Sequence, residues 1–422
     1  MSTAAPSTPQ AAPTPLSMRE VLRITTMRRL WYAQIVSNFG DFLALFAVIG
    51  FLTFKIHATA QQVTGIQISY QLPIAVLGIL AGVFVDRWPL KRTLISSDII
   101  RGFLCLALLV SSQLWHFYAI LAAISIVSSF FGPAQGVVIR EAVPLHGLRS
   151  SNALMQQVMF MMRIIGPAAA GMLVGFFGWN SCYILDAASF FASASFIASV
   201  SIKRSATVHH HTVEEDKGAI AKVWQDMQAG MSFILHHAAL LFVILALAAG
   251  MFIMGCFGPL IAVYVRDSIH GSNAIYAWAS AMIGVGILIG INLLNTFGTK
   301  IRNTVLVYAG LLGIVAGLVL LAAVTQIWST LLGDFIIGFA VAGIIIPAQT
   351  LMQQETPPAL MGRVGSTMMS VIFSAQILGL LLSGLLAQLT SVRAVFAICA
   401  AMLLLLTLAG KLFMEPKSAT PA

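Results

Sequence analysis

Charge is scarce in this chain. Charged residues make up 9% of its 422 residues, where a water-soluble domain carries roughly a quarter to cover its surface. Hydrophobic residues reach 59%, so lipid must replace water over most of the molecule. Acids are rarer still, with 14 Asp and Glu against 23 Lys and Arg, for a net charge of +9. The bases form no stripe or patch of the kind that grips a phosphate backbone, which excludes a nucleic-acid partner. Cysteine is limited to Cys105, Cys182, Cys256 and Cys399. All four lie in or beside apolar runs without ligand spacing, so neither a disulfide framework nor a metal or cofactor site is expected.

Catalytic signatures are missing too. His57, His116 and His146 stand alone, and there is no nucleophile elbow or phosphate-cradling loop, which argues against an enzyme, a polytopic membrane enzyme included. The absence of a nucleotide-binding domain disfavours an ATP-driven pump. Residues 1–17 lack an apolar core, so a cleavable leader is not expected and residues 1–29 read as a disordered, basic tail.

What the chain does have is a repeat. Pro133-Ala134-Gln135, Glu141, Pro144, Arg149 and Met155 recur as Pro347-Ala348-Gln349, Glu355, Pro358, Arg363 and Met369, each pair 214 residues apart (347 − 133). In both copies the block leaves one apolar segment, crosses a short polar loop and enters the next. Twelve apolar segments suffice to span a bilayer, which takes about 20 residues each: about 30–54, 62–85, 93–112, 116–139, 151–176, 180–201, 239–264, 273–296, 303–324, 328–352, 363–389 and 392–413. The expected fold is an all-α membrane protein of two pseudo-symmetric six-helix bundles, 30–201 and 239–413. A linker over 202–238 joins them, and a short tail follows from 414. Such duplication is an architecture of secondary transporters, with the substrate near the midplane between the halves.

Lys and Arg set the orientation. With the N-terminus in the cytoplasm, eighteen bases fall on that side and only Lys55, Arg266 and Arg393 on the other, so both termini are expected in the cytoplasm. In the linker, His209-His210-His211 and Glu214-Glu215-Asp216 read as solvated; a histidine run can bind metal, but no partner cluster accompanies it. Ile220, Trp224, Met227, Met231 and Ile234 then recur at helical spacing, which predicts an amphipathic helix on the cytoplasmic interface.

Between the second and third spans the chain reads Gly82-Val-Phe-Val-Asp86-Arg87-Trp-Pro-Leu-Lys91-Arg92. A small residue lets a neighbouring helix approach, and an acid beside bases can hold a charged latch. This loop resembles the signature of the major facilitator superfamily, and the resemblance covers essentially the whole chain. It implies that Asp86 and Arg87 help lock a cytoplasmic gate during alternating access. Pro89 stands where many members have glycine, and the matching loop of the second half, Gly298-Thr-Lys300-Ile-Arg302, keeps the bases and loses the acid. In the fifth span, Gly166, Pro167 and Gly171, with Gly175, resemble the Gly-Pro motif of exporters in the superfamily, although the final glycine pair is spaced differently. Proline bends the helix and the glycines offer a close-packing face. Together with Gly40-Asp41, Asp98-x-x-Arg101 and the loops carrying Glu141 with Arg149 and Glu355 with Arg363, the chain looks most like the drug:proton antiporter branch, which includes macrolide efflux pumps and enterobactin exporters.

Six ionisable groups fall inside spans: Asp41, Asp98, Arg101, Arg163, Asp186 and Asp334. Each costs at least about 2.5 kcal/mol at the bilayer centre unless paired or hydrated, so each marks a pathway by default. Asp41 and Arg163 have similar depth, and an Asp41–Arg163 interaction, direct or through water, that toggles protonation is expected; the competing reading is that Asp41 only fixes packing. Asp98 and Arg101 are expected to pair within the gate network, and Asp186 and Asp334 to line the exit, Asp334 the better placed. Asn38, Gln67, Gln71, Gln135 and Gln349 are candidate polar lining. The function implied is proton-coupled efflux of small hydrophobic or amphipathic molecules (drug, macrolide or siderophore) by a monomer in the cell inner membrane, its partners being substrate, protons and lipid. The alternatives left open are a lysophospholipid or other small-solute carrier, as uniporter or symporter.

Overall fold

The computed structural model describes residues 16–85, 88–200, 225, 227–297, 301–357 and 360–413. Twelve long helices carry the chain across: α1 Thr25–Gly50, α2 Ala60–Val85, α3 Leu90–Ala107, α4 Leu114–Ala142, α5 Leu148–Phe177, α6 Trp179–Ala198, α7 Ala238–Asp267, α8 Asn273–Phe297, α9 Asn303–Ala323, α10 Ile327–Glu355, α11 Met361–Leu389 and α12 Val392–Phe413. Eleven of these are long and apolar enough to cross a membrane, and the 26-residue α2 packs among them. No strand occurs among the described residues. Helices suit this setting because they satisfy backbone donors and acceptors within each segment, where hydrocarbon offers no partner.

Packing divides the helices into two groups of six. α1 rests on α5 and α6, α2 on α4, and α3 on α4 and α6. In the second group α8 and α9 rest on α10, α7 on α11, and α9 on α12. The groups meet mainly where α2 touches α11 and where α5 touches α8. Advancing each number by six turns the first contact into the second, so the 214-residue repeat is also a symmetry of the contacts. Backbones approach closely where glycine permits it. A Cβ added to Gly255 of α7 would stand 2.1 Å from the Gln376 carbonyl oxygen of α11, and one on Gly379 would stand 2.0 Å from the Phe252 carbonyl oxygen. Without a hydrophobic force between helices in lipid, such contact is a main source of their cohesion.

Proline bends five of the helices, at Pro73, Pro133, Pro167, Pro259 and Pro347. At Pro73 the neighbour supplies the missing partners. The Ile74 N–H donates to Ser125 Oγ of α4 at 3.2 Å, and the Ser129 hydroxyl donates to the Pro73 carbonyl at 3.5 Å. Polar side chains on α4 thus keep the opened turn of α2 satisfied.

The helix ends that hold both chain termini define the near side; the other ends define the far side. On the near side, the expected disordered tail gives way to structure at residue 16. Ser17 and Glu20 form a capping box, with the Ser17 N–H and hydroxyl donating to Glu20 Oε2 at 2.8 and 2.7 Å. These bonds hold the Glu20 carboxyl below its ordinary range. The short helix Met18–Arg23 then buries Val21, and Leu16 docks on the turn before α5 through His146 and Ser150. Capping and one buried apolar contact were enough to order it. In the linker, Ile220 and Trp224 lie outside the described residues, but 227–235 is helical. It docks on the start of α11, with Thr367 Oγ1 at 3.4 Å from the Met227 carbonyl and Ile234 buried. Met227 and Met231 are half-buried and Ile234 is buried, so the described part of this helix rests on the second bundle.

The described contacts between the two groups gather from mid-depth to the far side. Phe46 of α1 stacks on Tyr276 of α8 at 4.4 Å, and the Thr64 hydroxyl of α2 lies 3.4 Å from that of Ser383 of α11. Arg266 of α7 reaches across to α1. That helix ends in a π-turn, Phe51–Lys55, which leaves carbonyls facing outward. Arg266 Nη1 donates to the carbonyls of Thr53 at 2.9 Å and Ala58 at 2.7 Å, while Asp267 holds the rest of the guanidinium. A Thr64→Cys/Ser383→Cys pair is therefore expected to cross-link under mild oxidation and to lose transport until reduced; gel shift with a parallel transport assay checks both.

Candidate transport site

The charged groups of α1, α3 and α6 converge at mid-depth inside the first bundle. Their meeting depends on Gly40. A Cβ there would stand 2.3 Å from Asp186 Oδ1 and 2.2 Å from Ser189 Oγ, so only glycine lets α1 lie this close to α6. Asp186 is 1% exposed. Its Oδ2 accepts from the Cys105 thiol of α3 at 2.9 Å, and its Oδ1 from the Ser189 hydroxyl at 3.3 Å.

One turn along α3 toward the near side, Arg101 pairs with Asp98. The Ser193 hydroxyl of α6 donates to Asp98 Oδ2 at 2.6 Å. The guanidinium carbon of Arg101 lies 4.5 Å from the centre of the Phe131 ring and 4.3 Å from that of Phe190. Ion pair and aromatic faces together stabilise the guanidinium. Asp98 and Arg101 are 0% and 4% exposed.

Asp41 completes the cluster. It lies within electrostatic reach of Arg101 and Asp98, and it acts in turn on Asp186 and on Tyr70 of α2. Unlike Asp98 and Asp186 it is only half-buried. Arg101 thus pairs with Asp98, and Asp41 and Asp186 lie within its electrostatic reach. Asn38 and Gln34 continue the line one and two turns along α1 toward the near side, and Gln135 of α4 donates to Gln34 at 2.7 Å. Asn38 Nδ2 is buried without a partner.

Arg163 is elsewhere. It makes no ion pair with Asp41, and among the described residues no carboxylate reaches it. Equal depth was not enough, because the two side chains leave their helices in different directions. α5 has two exposed faces. Met161, Ile165, Met172 and Phe176 form one, wholly apolar, facing hydrocarbon. Asn152, Gln156, Met159 and Arg163 form the other, about 160° round the helix at 100° per residue. Polar side chains exposed in mid-membrane require water, so this second face lines the space between the bundles. One turn beyond Arg163, Pro167 and Ala170 of the same face are buried. Exposure on this face runs from the near side to mid-depth and stops there, which outlines a passage open to the near side.

The remaining expected residues fall as follows. Gly166 packs on Phe42 of α1 and Gly171 on Ala277 of α8, so the Gly-Pro segment joins both bundles. Gln71 donates to Gln67 at 3.0 Å, and Gln67 lies 3.9 Å from where a Gly258 Cβ would stand on α7. Gln349, Glu141, Arg149, Glu355 and Arg363 are exposed. Gly82 is in the last turn of α2; Asp86 and Arg87 lie outside the described residues. At the start of α3 Lys91 is half-buried and Arg92 exposed. Asp186 lines no exit, because it is enclosed between α1, α3 and α6. Asp334 is 0% exposed, and neither carboxylate oxygen has a hydrogen-bond partner. It belongs to the interior of the second bundle, where α10 meets α7 and α9. Tyr70, Cys105, Phe131, Phe190, Ser189 and Ser193 were not anticipated; each is one polar or aromatic residue on an apolar helix, and only the fold brings them to the acids.

The Major Facilitator Superfamily pattern matches residues 30–378 and 244–422. This chain belongs to that superfamily. It is 26% identical over 394 residues to the transporter YfiS of Bacillus subtilis (strain 168), covering 91% of this chain and 93% of that one. With macrolide efflux protein A of Streptococcus pyogenes it shares 25% over 369 residues, 85% and 88% of the two chains. With the multidrug efflux pump Tap of Mycolicibacterium fortuitum it shares 23% over 391 residues, 89% and 92%. Among solved structures, the nucleoside transporter NupG superposes with a TM-score of 0.68 at 13% identity, over 93% of this chain and all of that one. An inward-facing bacterial homolog of the human lysosomal transporter Spinster gives 0.71 at 12%, over 92% and 96%. The protein is therefore a multi-pass membrane transporter and not an enzyme.

Removing Arg101 would leave Asp98 as an uncompensated buried charge, which costs about 3–5 kcal/mol. Arg101→Ala is expected to lower the thermal unfolding temperature in detergent, and Asp98→Asn/Arg101→Gln to recover much of the loss. Unfolding followed by tryptophan fluorescence checks the order.

Proposed function

We propose that this transporter expels small hydrophobic or amphipathic molecules from the cell in exchange for protons, by alternating access. The carrying observation is Asp41. It is the half-buried member of a group in which Arg101 pairs with Asp98 and has Asp41 and Asp186 within its electrostatic reach. Arg101 can balance only one ionised acid, and further unpaired negative charge at mid-membrane is costly. Proton binding is the direct way to restore balance, and Asp41 is the least buried of the three acids.

The near side carries most of the bases, which supports placing it in the cytoplasm with both termini, the membrane being the cell inner membrane. The conformation described is then inward-open, with Arg266, Thr64 and Ser383 sealing the outside. Substrate enters from the cytoplasm or the inner leaflet while Asp41 releases its proton there. Rocking of the bundles breaks the far-side seal, exposes Asp41 outward for reprotonation and frees the substrate. The efflux proteins among the relatives support the direction of transport. The protein acts as a monomer, because each chain contains both bundles.

Asp41→Asn mimics the protonated acid and removes its exchange. It is expected to abolish efflux of an amphipathic dye driven by an imposed pH gradient in proteoliposomes, while the protein inserts and remains monodisperse. Gradient-driven efflux at the wild-type rate would reject the proposal.

A further inference from the structure

Arg163 is the charged residue at mid-depth on the polar exposed face of α5, Arg149 of the same face standing at its near-side end, and no described group neutralises Arg163. It lies 15 residues from Leu148 and 14 from Phe177, so about 20 Å of helix separates it from either end. Arginine stays protonated even in such surroundings, and its fork of donors is shaped for a carboxylate or phosphate. The acids of the spans are committed elsewhere. Asp98 and Asp186 are enclosed in the first bundle with Asp41 beside them, and Asp334 is enclosed in the second. A guanidinium exposed at mid-depth, with no carboxylate beside it among the described residues, is suited to receive an anionic group.

Its surroundings define the rest of the ligand. Below Arg163 on the same face, Gln156 and Asn152 offer hydrogen bonds and Met159 an adaptable apolar contact. The duplication places Ile377 of α11 at the equivalent position (163 + 214), so the second bundle offers no matching charge. One wall can fix an anionic head while the other presents only an apolar side chain. We infer that Arg163 is the substrate anchor, and that the preferred substrates are amphipathic organic anions bearing a carboxylate or phosphate.

This inference rests on the efflux reading for direction but makes its own demand on binding. The test uses wild-type, Arg163→Gln and Arg163→Lys protein in lipid nanodiscs, with three probes sharing one aromatic body: 4-(1-pyrenyl)butanoate, its neutral amide and pyrenylbutylammonium. Binding is read by energy transfer from tryptophan, with empty nanodiscs subtracted. Wild type is expected to bind the butanoate about tenfold or more tighter than the ammonium, as a charge-assisted pair allows. Arg163→Gln should erase that preference while leaving amide binding within about twofold, and Arg163→Lys should retain part of it. An equal loss for all three probes would reduce Arg163 to a structural role and overturn the proposal, as would tighter binding of the ammonium. Charge-selective binding without pH-driven efflux would reject the export reading and leave the anchor standing.

Discussion

Everything polar in this molecule is arranged around the cost of charge in hydrocarbon. A protein with so few ionisable side chains could have placed none in its spans, yet it gathers three aspartates at one arginine in the middle of the first bundle. Burial makes the arrangement sensitive. In water the same groups would ignore each other beyond a few ångströms, whereas in a low-dielectric interior each feels the charge state of all the others. Moving one proton at Asp41 alters the electrostatic state of α1, α3 and α6 together. Gly40 is part of that machinery, because close helix approach sets the distances over which the charges interact.

The two bundles share a fold and divide the labour. The first holds Arg101, the half-buried acid and Arg163. The second contributes Arg266 at the far side and Asp334, whose carboxylate has no hydrogen-bond partner among the described residues. Duplication supplied two equal frames, and substitution placed a mid-depth arginine on α5 where α11 has Ile377.

Reading the chain alone reached the architecture because the bilayer imposes it. Twenty apolar residues have one use in such a sequence, and a repeat at constant spacing leaves little choice of arrangement. The site was legible in part. Asp98 and Arg101 are three residues apart on one helix, so their pairing follows from helical geometry. That Asp186 and Asp41 join them does not follow, since nothing local relates residues 41, 98 and 186; the information lies in how Gly40 lets α1 settle on α6. Pairing Asp41 with Arg163 failed for a related reason. Position along a helix gives depth, but azimuth depends on which face the helix buries, and on α5 that is settled by contacts with Phe42 and Ala277. The N-terminal segment was misjudged because its composition is that of a tail, while Ser17, Glu20 and Val21 together make a short docked helix.

The grip of Arg266 on α1 has a genetic corollary. Its acceptors are the main-chain oxygens of Thr53 and Ala58, which every residue type possesses. Ordinary replacement of either side chain leaves those acceptors in place, so the strength of this clasp can be tuned by inheritance almost solely through codon 266 and its neighbour Asp267. A lineage that altered the strength of this far-side contact would be expected to carry its changes on the second half of the chain, while the facing stretch of the first half drifted freely.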